Sequence, residues 1–136
     1  MAANTKIKNS KKDISSRKDI EVLVAAFYEK VKIDEILGPV FTEVARVNWE
    51  KHMPIMCDFW ENAILFTGTY QGNPMDLHIH LHKAMPLLQL HFNKWNQIFI
   101  KTVDSLFKGE KALLAKQRAL KISEVLQSKI LDHNHS

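Results

Sequence analysis

Very few residues in this chain can break a helix. Only four glycines and four prolines occur among 136 residues, while apolar residues make up 46% of the sequence. Apolar side chains recur at steps of three and four, the period that places them on one face of a helix. A sheet-rich fold of this length needs more turns, so an all-α globule with one core of moderate size is expected.

The segments can be read in order. Ser16 is a helix cap with Asp19 three residues later, and Ile20, Leu23, Val24, Phe27 and Val31 form the apolar stripe that follows. A short turn spans Asp34 to Leu37 and is closed by Gly38-Pro39. A second long helix is expected after Asn48, ending near Thr67 with Gly68 as its stop. Its stripe is Trp49, His52, Met56, Phe59 and Ala63, with Pro54 in the early turns. Beyond the turn-rich stretch Tyr70 to Pro74, a short helix over Met75 to Lys83 is expected. A third long helix from about Leu87 to Phe107 carries Leu88, Phe92, Trp95, Phe99, Thr102 or Val103, and Leu106. Gly109 breaks it, and a last helix over about Glu110 to Leu131 carries Ala115, Ala119, Ile122, Leu126 and Ile130. The expected organisation is a flexible basic tail over 1–13, one domain over 14–131 and a polar tail over 132–136.

Charge and cysteine content narrow the classes of function. The net charge is +4, and Lys6, Lys8, Lys11 and Lys12 in the acid-free first twelve residues account for all of it. The remainder is neutral, which argues against nucleic acid as a partner. Cys57 is the lone cysteine and sits among apolar neighbours, so it reads as a core filler in a reducing compartment. No apolar run approaches the length of a membrane span, and the N-terminus lacks the apolar stretch of a secretory signal, so a soluble cytoplasmic protein is expected.

Four residues interrupt this apolar pattern with polar chemistry. Tyr28, His52 and Trp95 fall on or beside the inward stripes of three helices, and His78 opens the short helix after Pro74. The first three supply an O–H, a ring N–H and an indole N–H, donors that stabilise a ligand that becomes partly negative on binding. A histidine on a short helix beside a cleft can serve as an axial base for haem iron. His78, His80 and His82 also form an alternating series. On a strand, all three would share one face and could hold zinc or non-haem iron. On a helix His80 points away, leaving His78 and His82 one turn apart as equal candidates. A helical interaction module without cofactor is a third reading.

Six motifs, in order, carry a resemblance: Phe27-Tyr28-Glu29-Lys30-Val31, Leu37-Gly38-Pro39-Val40-Phe41, Trp49-Glu50-Lys51-His52, Asp58-Phe59-Trp60, Tyr70-Gln71-Gly72-Asn73-Pro74-Met75 leading to His78, and His91-Phe92-Asn93-Lys94-Trp95. Together, from about residue 14 to 107, they resemble the group III truncated haemoglobins. The lack of a Gly-Gly pair agrees with that group. The resemblance implies a truncated globin-like two-over-two helical sandwich around haem b, with His78 as the proximal iron ligand. It places Tyr28, His52 and Trp95 at the distal, ligand-binding positions and Phe27 and Phe41 against the porphyrin. Met56, Phe59 and His82 complete the expected cofactor-facing set. The implied function is binding of oxygen, nitric oxide or carbon monoxide for scavenging, sensing or redox detoxification rather than bulk delivery. Nitric-oxide dioxygenation and a peroxidase-like reaction are both compatible, and either requires a reductase.

Overall fold

Residues 11–40, 49–67 and 88–135 are described in a computed structural model, with side chains through residue 128. Four long helices occur among them: α1 Arg17–Ile33, α2 Trp49–Leu65, α3 Gln89–Leu106 and α4 Glu110–His135. Helix α1 packs on α2 and α3, while α4 packs on α3 and α2. Two pairs of helices therefore lie one over the other, the two-over-two arrangement expected from the sequence.

Each helix end has a local cause. The Ser16 side chain accepts from the Asp19 N–H at 3.3 Å, as the cap signal implies. The first residues also reach the far end of the chain. The Asp13 carboxylate accepts from the backbone N–H groups of Lys111 and Ala112, each at 2.8 Å, and so caps α4. Gly109, at φ +143°, has no side chain with which to cap that helix, and a Cβ there would lie 2.5 Å from Asp13 Cγ. A residue nearly a hundred positions away supplies the missing acceptor. Burial opposes the Asp13 charge, but the N–H donors of Lys111, Ala112 and Ile14 outweigh it and hold the carboxyl below its ordinary range. Lys12 anchors the same segment through an ion pair with buried Asp19 at 2.7 Å.

The turn after α1 is held by Asp34, which accepts from the N–H groups of Ile36 and Leu37, each at 2.9 Å, and pairs with Lys94 of α3 at 3.4 Å. Gly38 packs so closely on α1 that a Cβ would lie 2.5 Å from the Lys32 carbonyl oxygen. Gly38 closes the turn as expected, its N–H donating to the Asp34 carbonyl at 2.9 Å, and Gly38-Pro39 also opens a further helical turn. Proline suits that position because the first turn of a helix leaves its N–H groups unbonded.

Helix α2 runs unbroken through Pro54, whose side chain is exposed, and ends with Phe66 at φ 58°. The expected caps at Asn48 and Gly68 lie outside the described residues, as does the expected helix over Met75 to Lys83. Helix α3 begins with a reciprocal contact in which His91 Nδ1 accepts from the Leu88 N–H at 2.8 Å. Leu88, expected inside, is 54% exposed at this cap position. Helix α4 continues to His135, four residues beyond its expected end.

The core joins Ile20, Leu23, Val24, Phe27 and Val31 of α1 to Met56, Cys57, Trp60 and Ile64 of α2, and to Phe99 and Val103 of α3. Ala112, Ala115 and Ala119 give α4 a small-residue face that lets it approach closely. Cys57 is buried as expected, and desolvation raises its thiol pKa. Arg17 ties α1 to α2 through Asp58 at 2.6 Å and Glu61 at 3.2 Å, and these carboxylates drive its pKa upward. No described helix is long and apolar enough to cross a membrane.

Candidate functional site

The three distal candidates are linked through ring contacts that run from Trp95 through Phe27 and Tyr28 to His52. The Phe27 ring touches Tyr28 edge to face at 4.9 Å between centroids and Trp95 in the same way at 5.5 Å. Tyr28 in turn meets the His52 ring at 5.3 Å with planes 78° apart. Adjacent residues point to different neighbours because α1 belongs to two interfaces: Phe27 packs towards α3 and Tyr28 towards α2.

Tyr28 is 5% exposed, and removal from water pushes its phenol well above the ordinary tyrosine range. A protonated phenol is able to donate a hydrogen bond. His52 and Trp95 are half-buried. The indole of Trp95 stacks on Phe99 at 5.7 Å with planes 10° apart, and Phe99 stacks on Trp60 at 4.7 Å. These contacts fix the plane in which the Trp95 N–H lies.

The apolar candidates divide. Phe27 and Met56 are buried core residues, at 1% and 5% exposure, whereas Phe59 is half-buried and packs against the core from its edge. His78, His80, His82 and Phe41 lie outside the described residues. Of the candidate residues, the described ones are thus Phe27, Tyr28, His52, Met56, Phe59 and Trp95.

Two contributors had no assigned role in the sequence. Trp49 lies against both donors, 5.3 Å from the Tyr28 ring and 5.6 Å from that of His52. Lys32 places its ammonium 4.6 Å from the centre of the Trp49 ring. Their spacing was a signal: Trp49 precedes His52 by three residues and Lys32 follows Tyr28 by four, so each shares a helix face with a donor. His91, part of a recognised motif, caps α3 through its side chain.

No protein-family model matches the chain. It is 29% identical over 116 residues to the group 3 truncated hemoglobin ctb of Campylobacter jejuni, a match covering 83% of this chain and 89% of the relative. The crystal structure of a group III truncated hemoglobin from Campylobacter jejuni superposes with a TM-score of 0.77 at 28% identity, covering 89% of this chain and 95% of that one. Sequence and architecture thus agree over most of both chains: this chain has the truncated-globin fold and is a homologue of the group III truncated haemoglobins.

Proposed function

We propose that the chain binds haem b and uses it to bind a diatomic gas ligand, with oxygen the foremost candidate. The observation that carries this reading is a continuous chain of ring contacts that links three donor residues from three helices, Trp95 to Phe27, Phe27 to Tyr28 and Tyr28 to His52. A core of aromatic and aliphatic side chains with a few polar tips suits a flat apolar macrocycle whose ligand becomes polar on binding. Similarity to the group III truncated haemoglobins supports the same cofactor.

Haem would supply an iron able to bind the gas. We assign the residue that would hold the iron to His78 on the strength of the resemblance, and the contacts to the gas to this chain's own donors. Tyr28 and Trp95 are the principal donors. Tyr28 offers a phenol O–H, and Trp95 an N–H whose ring is fixed by stacking. His52 is a third donor or a gate beside Tyr28. Phe27, packed against Tyr28 and Trp95, excludes water beside both and strengthens hydrogen bonds made there, while Met56 and Phe59 complete the cofactor-facing set. Phe41 joins the cofactor-facing set through the resemblance, and His82 through its spacing from His78 in the sequence.

Several donors slow the release of a bound ligand, which favours scavenging, sensing or redox detoxification over bulk oxygen delivery. Nitric-oxide dioxygenation and peroxide reduction both draw on an external electron donor, and a cytoplasmic setting provides one. Haem titration tests the reading. The purified chain should take up haem stoichiometrically with a Soret band, and carbon monoxide should shift that band in the reduced form. Absence of the band would refute the proposal.

A further inference from the structure

One corner of the fold gathers the ends of three helices. Phe66 follows the end of α2, Phe107 and Lys108 follow α3, and Glu110 opens α4. The segment from Lys11 to Asp13 is fastened at the same corner, with Lys11 Nζ donating to the Asp104 carbonyl at 2.6 Å and the Lys108 N–H to the Lys12 carbonyl at 3.0 Å. Ala112 is buried in the first turn of α4, so Lys111 and Leu113 lie on either flank of it. On the Lys111 flank stands the Phe66 ring, 63% exposed and carried on a backbone of positive φ. On the other flank Leu113, 52% exposed, borders a hollow of about 410 Å³ lined also by Phe107 and by Lys11, Lys108 and Lys116.

The acids of this corner do not balance its lysines. Asp13 is taken up in capping α4, and Asp104 pairs with Lys116 at 2.7 Å. Lys6 and Lys8 precede Lys11 by five and three residues, so the covalent chain keeps both within about 18 Å of it, and no acid lies among the first twelve residues. An exposed aromatic on a strained backbone contributes little to packing, and strain kept without benefit to the fold points to a role outside it.

We propose that this corner is a docking surface for an anionic lipid bilayer, with Phe66 and Leu113 entering the headgroup layer and the lysines meeting lipid phosphates. Charge draws such a surface in, and the apolar side chains leave water on arrival. An acidic protein would engage the lysines alone, whereas a bilayer also takes up hydrophobes held clear of the fold. Contact of this kind is reversible and needs no spanning helix. The docking does not rest on the functional reading above. Diatomic gases dissolve better in lipid than in water, so the two together would bring a gas-binding chain to where its ligand is concentrated.

Flotation of the full chain with vesicles tests this. Vesicles of phosphatidylcholine mixed with phosphatidylglycerol should carry the chain upward, pure phosphatidylcholine should not, and added salt should weaken the binding. Lys108→Gln combined with Lys111→Gln should lower the partition coefficient roughly tenfold, the effect of two lysines at an anionic surface. Phe66→Ala should lower it several-fold, and Phe66→Leu should retain most of it, since a leucine also enters the headgroup layer. Failure of the parent chain to bind the anionic vesicles would overturn the proposal, as would equal binding to neutral ones. Binding that is unchanged in Phe66→Ala and displaced by soluble polyglutamate would also overturn it, and would make the corner a contact for an acidic protein.

Discussion

Asp13 occupies the space that a side chain at Gly109 would need. Its Cγ lies 2.5 Å from where a Cβ on Gly109 would stand, and its two oxygens take the N–H groups of Lys111 and Ala112. The glycine is thus required by the approach of Asp13 as well as by its own φ of +143°. Gly109→Ala should cost about 1–3 kcal/mol, the usual range for a side chain forced into a disfavoured backbone region. Asp13→Ala should cost about 1–2 kcal/mol, the loss typical of an N-cap. Urea denaturation of both variants checks the pair, and parent-like stability for Asp13→Ala would show that water caps α4 as well as the carboxylate does.

The same carboxylates set an acid limb. Asp13, Asp19 and Asp34 are all held below their ordinary value of 3.8, by backbone N–H groups and by Lys12 or Lys94 against the opposing effect of burial. A carboxylate whose pKa is lower in the folded than in the unfolded state stabilises the fold fully above the unfolded value, and that stability is lost as pH falls through the folded one. Stability should therefore be level above about pH 5 and decline as pH drops through and below 3.8. Asp13→Asn should flatten part of that decline in a pH series of thermal melts.

Phe66 holds a positive φ of 58° at the end of α2, and its side chain is 63% exposed. The Lys111 ammonium lies 4.7 Å from the centre of its ring. A bulky residue is strained in the left-handed region, where glycine is at ease. Phe66→Gly should raise stability by about 1 kcal/mol, the left-handed penalty less a weak surface cation–π contact. A loss of stability in thermal melts would show that the Lys111 contact outweighs the strain.

Much of this fold was legible because helical period and cap chemistry act locally. Ser16 caps α1, and every residue of its expected stripe is buried. Helix α2 was read less well. The expected stripe of Trp49, His52, Met56, Phe59 and Ala63 is mostly half-buried, while Met56, Cys57, Trp60 and Ile64 form the buried face. A helix packed against two neighbours buries a wider arc than one stripe, and a single period cannot say which flank faces which neighbour. Polar residues on apolar stripes marked Tyr28, His52 and Trp95. Their linkage through the Phe27 ring is a tertiary fact that spacing could not supply, and neither Asp13 capping α4 nor Lys32 lying over Trp49 leaves a mark on any single helix.

Two histidines one turn apart were equal candidates for the iron on spacing alone, and only the family resemblance favoured His78. His78→Ala should sharply reduce haem retention on gel filtration, while His82→Ala should retain haem with a nearly unchanged Soret band, since loss of an axial ligand removes the bond that holds the iron. The opposite pattern would assign the ligand to His82.

Oxygen dissociation from the reduced, haem-loaded protein tests the central claim most directly, because it reads the donors rather than the fold. Tyr28→Phe and Trp95→Phe each remove one donor, a loss of about 1–1.5 kcal/mol and so roughly a tenfold faster release. Stopped-flow measurement of both variants beside the parent should show that acceleration in each. Parent-like rates in both would contradict the assignment of Tyr28 and Trp95 as the groups that hold the ligand.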